Sequence, residues 1–151
     1  MIKAISLWEP WATLMALGQK KCETRGWSAN YRGWLAIHAT KNMPAESRSM
    51  IRHTAGILNR YFIGMAQLKA TAGCVLAIVW LDDILPTNDH FFPLSTIELA
   101  FGDYSPDRYI WQTSHLYRLP EPIPARGRQR LWNWEAPEGI IVALEEIRKS
   151  E

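Results

Sequence analysis

GQKKCETRGW, residues 18–27, places a glycine, three cations and one acid in the eight positions before its tryptophan. If residues 22–25 form a strand, side chains alternate across it and Glu23 and Arg25 share a face. Lys20, three residues before Glu23, joins them only from a turn that precedes the strand. The upstream residues supply such a turn. Trp11, Leu14, Met15 and Gly18 fall at helical spacing after Glu9-Pro10. Proline is tolerated at a helix start, and Gly18 is a natural left-handed stop. The stretch then has two readings. One is a solvated hairpin edge whose charges contribute little. The other is an ammonium, a carboxylate and a guanidinium facing one cavity. Arginine offers a planar fork to phosphate or a base edge, a carboxylate accepts from an exocyclic amine, and a desolvated lysine can act as base or nucleophile.

Outward from this stretch, KAIS (3–6) reads as a strand. WLAIHA (34–39) alternates, with Trp34, Ala36 and His38 on one face and Leu35, Ile37 and Ala39 on the other. Residues 44–69 read as helical, with basic positions Arg48, Arg52, Arg60 and Lys69. CVLAIVWL (74–81) is an apolar run of strand length, expected to end at Asp82 and Asp83. Ser95-Thr96-Ile97-Glu98 has the capping-box pattern that starts a short helix. RYIWQT (108–113) and HLYRL (115–119) read as two strands, and the Pro-rich stretch after them as an extended loop. In the tail, Ile140, Leu144 and Ile147 fit a helix. Short non-local strands interleaved with helices, without a regular βαβ rhythm, predict an α+β fold: a small, mixed, partly closed β-barrel with flanking helices.

The 151 residues fit one domain, 1–151, with 48% hydrophobic and 21% charged residues. No apolar run approaches the ~20 residues that span a bilayer. The N-terminus lacks a basic stretch followed by an apolar core, so no secretion signal and no membrane partner are expected. Cys22 and Cys74 lie far apart with no CxxC pair, so no metal is expected, and a reduced, cytoplasmic protein is the default. No phosphate-loop or dinucleotide fingerprint occurs, and no cofactor is expected. The net charge is only +2, but it is distributed unevenly. Arg118, Arg126, Arg128 and Arg130 oppose Glu121 alone, whereas residues 82–107 hold six acids and no Lys or Arg. Such polarity steers an anionic partner to one side, or is a mixed surface cut into windows. Eight tryptophans exceed the usual share severalfold. Some must be core, but an indole at a pocket mouth also stacks on bases.

Gly18-x-Lys20-x-x-Glu23-x-Arg25 resembles the GxKxxExR signature of the ASCH domain. The likeness extends through SLWEPWATLMALGQKKCETRGW, YRGWLAIHATK, GCVLAIVWLDDIL, FGDYSPDRYIW and PIPARGRQRLW. It leaves out the tail and residues 41–70, a helical insertion. The resemblance implies a PUA-like fold whose signature lines a cavity beside the barrel. It also implies a nucleic-acid partner, RNA rather than DNA, or a nucleoside. One bacterial branch of the family deacetylates N4-acetylcytidine with Lys, Thr and Glu, and another is described as cleaving single-stranded RNA. By that resemblance Lys20, Glu23 and Glu98 are the catalytic candidates for a hydrolase alternative. The deacetylase branch carries Thr where Glu23 stands, and Glu98 is the nearest match to its downstream acid.

The ligand-binding candidates are Trp8, Lys20, Glu23, Arg25, Ser105, Arg108, Arg126, Arg128 and Arg130. Each has a structural alternative. Glu23 and Arg25 can pair with each other, and Glu98 can close the capping box. Ser105 and Arg108 can hold the GDYSPDRY turn. The 126–130 arginines either grip phosphates or serve solubility. His38, among apolar neighbours, reads as a hydrogen-bonded core histidine, and Trp11 and Trp111 as core.

Overall fold

The computed structural model describes residues 1–89 and 92–150. Six strands, β1 Ile2–Leu7, β2 Cys22–Arg25, β3 Gly33–Ala39, β4 Cys74–Pro86, β5 Tyr109–Pro124 and β6 Leu131–Trp134, form one sheet in the order β2-β5-β4-β3-β1-β6. β1 and β3 are parallel and every other pair is antiparallel. No β2–β6 pairing closes the ladder among the described residues. The helices are α1 Trp11–Ala16, α2 Ala45–His53, α3 Ala55–Arg60, α4 Met65–Ala70, α5 Thr96–Ala100 and α6 Glu138–Lys149. None is long and apolar enough to cross a membrane among the described residues.

Strand alternation sorts the core into two faces. Ile5, Leu7, Leu35, Ile37, Val79, Leu81 and Trp111 pack with Met15 of α1 on one side. Ala4, Ala36, Ile78, Trp132 and Trp134 pack with Ile140 and Leu144 of α6 on the other. A third cluster ties α1 through Leu14 to Leu58, Ile63 and Leu68 of the insertion and to Phe101 after α5. The 41–70 stretch, expected from the sequence to be an insertion, packs into the folded body.

Several boundaries differ from the sequence expectation. The 44–69 stretch is three short helices rather than one. β4 passes through Asp82 and Asp83 because its register shifts between Leu81 and Asp83, turning both acids outward. Asp83 then accepts from Ile84 N at 2.9 Å and pairs with Arg32 at 3.2 Å. β5 is one strand through Pro124 where two strands and a loop are predicted, and β6 is an additional strand. The prolines are tolerated because β2 covers only the 109–112 end of β5, leaving an outer edge alongside them. Register shifts at three places let the long β4–β5 pair bend.

α1 has an unusual start. Glu9 is fully buried and its carboxylate accepts from Thr13 N at 2.8 Å and Thr13 Oγ1 at 2.6 Å. Burial raises the Glu9 pKa against the opposing effect of these two bonds. A folded-state pKa above the unfolded value favours the native state on the acid side, and that contribution is lost as pH rises through the folded pKa. Glu9→Gln keeps the acceptor for Thr13 N and removes the titration. Denaturant melts should show wild type losing stability relative to Glu9→Gln as pH rises from the ordinary carboxyl value of 4.5 toward neutrality. A difference constant across that range would refute the assignment.

Candidate functional site

The turn between α1 and β2 positions the charged cluster. Gly18 adopts φ +75, and both Gln19 N and Lys20 N return to Leu14 O, at 3.1 and 3.2 Å. This curls the chain so that Lys20 enters the protein instead of solvent. Its side chain is fully buried, and Nζ donates to Cys22 O. It lies 3.4 Å from Glu98 Oε1 and 4.0 Å from Glu23 Oε1. Glu23 Oε2 faces Arg25 Nη1 at 3.8 Å. The amine, acid and guanidinium therefore share one neighbourhood, with a second carboxylate added.

Glu98 explains that addition. Ser95 caps α5 by accepting from Glu98 N at 3.1 Å. The Glu98 carboxylate does not complete the box. It crosses to the β2 turn, where Oε2 accepts from Lys21 N at 2.7 Å and Cys22 N at 3.1 Å. Two of its hydrogen bonds thus satisfy backbone amides, and its other oxygen faces Lys20. Burial first, then the Glu98 carboxylate, push the Cys22 thiol up to about 11, against the opposing effect of Lys20. Burial also raises the Tyr104 phenol, with Cys22, Glu98 and Glu23 adding to it. Tyr104 is a site neighbour that the sequence reading omitted.

A cavity of about 360 Å³ opens on the Glu23–Arg25 side. Trp8, Trp11, Glu23, Arg25, Glu46 and Arg108 contribute to its wall. Lys20 is not in that lining; it sits behind Glu23 and borders a separate hollow with Met15, Lys21 and Thr113. Arg108 is held by Asp103 O at 3.1 Å and Thr24 O at 3.3 Å. Thr24 Oγ1 in turn accepts from Asp103 N at 3.0 Å. Ser105 stays outside the lining: its hydroxyl and N–H donate to Asp103 Oδ1 at 2.6 and 3.1 Å. These bonds, the hydroxyl's first, lower the Asp103 pKa, and Arg108 assists. Trp11 donates its Nε1 proton to Phe101 O at 2.7 Å while its ring faces the cavity. Glu46 and Met50 come from α2, so that helix supplies one wall. No sequence signal marked Glu46, because its approach depends on how α2 docks.

A second, larger groove of about 870 Å³ is lined by Lys41, Arg126 and Arg128, with Ser6 and His38 beneath. Trp8, 43% exposed, borders both this groove and the cavity. Arg130 is not with the other two arginines. Its guanidinium lies 4.9 Å from the Trp27 ring centre, and that of Arg25 lies 5.7 Å from the same ring. No cluster of His, Cys, Asp and Glu placed to hold a metal occurs among the described residues.

The family model for the ASCH domain matches residues 5–149. The chain belongs to the ASCH family. Human activating signal cointegrator 1 is 25% identical to this ASCH domain over 134 residues, and its mouse counterpart 24% over 136. These matches take in 87% of this chain but only 22% of either relative, so the chain spans about a fifth of their length. The solved ASCH protein of Zymomonas mobilis has the same fold, with a TM-score of 0.51 at 16% identity over 94% of each chain. A mutant structure of that bacterial protein gives 0.50 at 15% identity, covering 95% of this chain and 94% of that one. The fold is accordingly the mixed α+β, PUA-like architecture of ASCH domains.

The buried cluster makes two measurable demands. Lys20→Ala leaves two carboxylates without their shared ammonium and should cost about 3–5 kcal/mol in urea unfolding, as for other buried pairs broken on one side. Unchanged stability would place Lys20 in solvent. Cys22, held as a thiol, should react with iodoacetamide at pH 8 far more slowly in the native protein than after denaturation. Equal rates would contradict its burial beside Glu98.

Proposed function

We propose that this ASCH domain binds nucleic acid, RNA in preference to DNA, by taking one unstacked base or nucleoside into the 360 Å³ cavity. Arg126 and Arg128 in the adjoining groove take phosphates. The observation that carries this reading is Trp8, an exposed indole that borders both spaces at once. The cavity volume lies at the small end of ligand pockets, which run ~300–1,000 Å³. Its chemistry is mixed in the way a base edge requires. Glu23 accepts from an exocyclic amine, while Arg25 and Arg108 offer planar donors. Glu46 supplies a further acceptor for ribose hydroxyls, of which DNA has one fewer. The groove's cations suit a phosphate backbone.

The hydrolytic alternatives, deacylation of an N4-acetylcytidine-like nucleoside or metal-independent cleavage of single-stranded RNA, require an amine at the substrate. Lys20 Nζ is fully buried, donates to Cys22 O and faces Glu98. In the binding reading Lys20 and Glu98 are positioning residues for β2, which carries Glu23 and Arg25. Ser105 and Arg130 support Asp103 and Trp27 respectively, rather than meeting the ligand.

Fluorescence anisotropy with a labelled RNA oligonucleotide tests the proposal. Trp8→Ala should weaken binding by roughly 1–3 kcal/mol, the loss expected for one stacked base, without altering the melt. The deoxy oligonucleotide should bind less tightly than the ribo one. Wild-type affinity in Trp8→Ala would remove the stacking platform and the reading with it.

A further inference from the structure

We propose that Ser6 and His38 are positioning residues for a phosphate site, clamping the loop after β5 so that Arg126 and Arg128 stand with Lys41 over one groove. This rests on the reading of Arg126 and Arg128 as phosphate contacts, and adds to it Lys41 and the device that fixes their loop.

Ser6 and His38 are register partners at the ends of the parallel strands β1 and β3. Their side chains meet, Ser6 Oγ to His38 Nδ1, at 3.0 Å. The other ring nitrogen, Nε2, lies 2.8 Å from Ala125 O. A carbonyl can only accept, so Nε2 carries the proton and donates. In the neutral ring Nδ1 is then the acceptor, and the Ser6 hydroxyl donates to it. The Trp132 indole N–H completes the chain by donating to Ser6 Oγ at 3.1 Å. Its ring also stands edge-on to His38, with centroids 5.4 Å apart. Residue 125 is fixed from both sides, because Ala125 N donates to Gly73 O at 3.0 Å.

Gly127 shows how closely the loop is pressed down. A Cβ there would lie 2.7 Å from His38 Cε1, 2.7 Å from Ser6 Oγ and 3.0 Å from His38 Nδ1. Only a residue without a side chain lets the backbone rest on the pair. Arg126 and Arg128, on either side of Gly127, are exposed and line the groove. Lys41 lines it too, and a Cβ added at Gly73, the residue whose carbonyl holds Ala125, would lie 3.7 Å from its Cβ. Arg126 and Arg128 therefore flank a loop held by one bonded network, and Lys41 stands beside its Gly73 anchor. The groove lining contains no Asp or Glu among the described residues, in contrast to the cavity beside it. Fixing the backbone in advance reduces the ordering cost of placing like-charged side chains on a phosphate chain.

The test compares wild type, Gly127→Ala, His38→Ala, His38→Gln and the double variant Arg126→Ala/Arg128→Ala. The probe is oligouridylate, titrated from ~50 to ~200 mM salt, with uridine as a cavity probe and a thermal melt for each protein. The double variant should reduce the slope of log K against log salt by about 1.4, the loss of two single-strand phosphate contacts. Gly127→Ala should reproduce most of that reduction with the uridine affinity unchanged and a cooperative melt retained. His38→Gln keeps an acceptor for Ser6 and a donor for Ala125, so it should retain more of the slope than His38→Ala. If His38→Ala does not fold, Gly127→Ala carries the test, since it lies on a surface loop and removes no core atom. A wild-type slope in Gly127→Ala beside a lowered slope in the double variant overturns the clamp alone. An unchanged slope in the double variant overturns the phosphate reading, and the clamp with it. Equal losses of uridine and oligouridylate binding in Gly127→Ala would also overturn the clamp, since the change would then be general.

Discussion

The buried ammonium of Lys20 constrains everything around it. It cannot be hydrated, so the turn carbonyl of Cys22 and the carboxylates of Glu98 and Glu23 must come to it. Glu98 can do so only if α5 packs against the β2 turn, and it fixes that contact by accepting from two backbone amides. Glu23, drawn inward by Lys20, leaves its second oxygen toward Arg25 at the cavity wall. The cluster is thus layered: Lys20 of the signature and Glu98 of α5 hold the frame, and Glu23 and Arg25 form the face. The same frame brings Asp103, close after α5, next to Thr24, which in turn secures Arg108.

This arrangement divides the labour between two adjoining concavities. One is small, aromatic and of mixed charge; the other is larger and cationic. In the function proposed above, the first takes a flat polar group and the second phosphates. Their common border is a single indole, that of Trp8.

The local part of this site was legible in the sequence. A glycine stop and two-residue alternation were enough to bring Lys20, Glu23 and Arg25 together, because all three lie within one turn and one strand. The burial of Lys20 was not legible in spacing: Glu98 is 78 residues away, and only the family resemblance grouped it with Lys20 and Glu23, its own position fitting a local capping box equally well. Glu46 and Trp11 escaped for the same reason: the docking of α2 and α5 against α1 decides what they face. Arg126, Arg128 and Arg130 looked alike as a run, but Arg130 has φ 57 and turns to Trp27. The fold class followed from the mixture of short strands and helices. The limits of β4 and β5 did not, because register shifts let a strand run through residues that usually end one.

The prolines of β5 have one more effect. Pro120, Pro122 and Pro124 fall on the part of β5 that β2 does not cover. None of the three can donate. Over residues 120–124 three of five backbone nitrogens carry no hydrogen, and an extended segment from a companion molecule finds few donors to pair with there. The sheet is thereby protected from growing between molecules at the place where its own neighbour strand runs out.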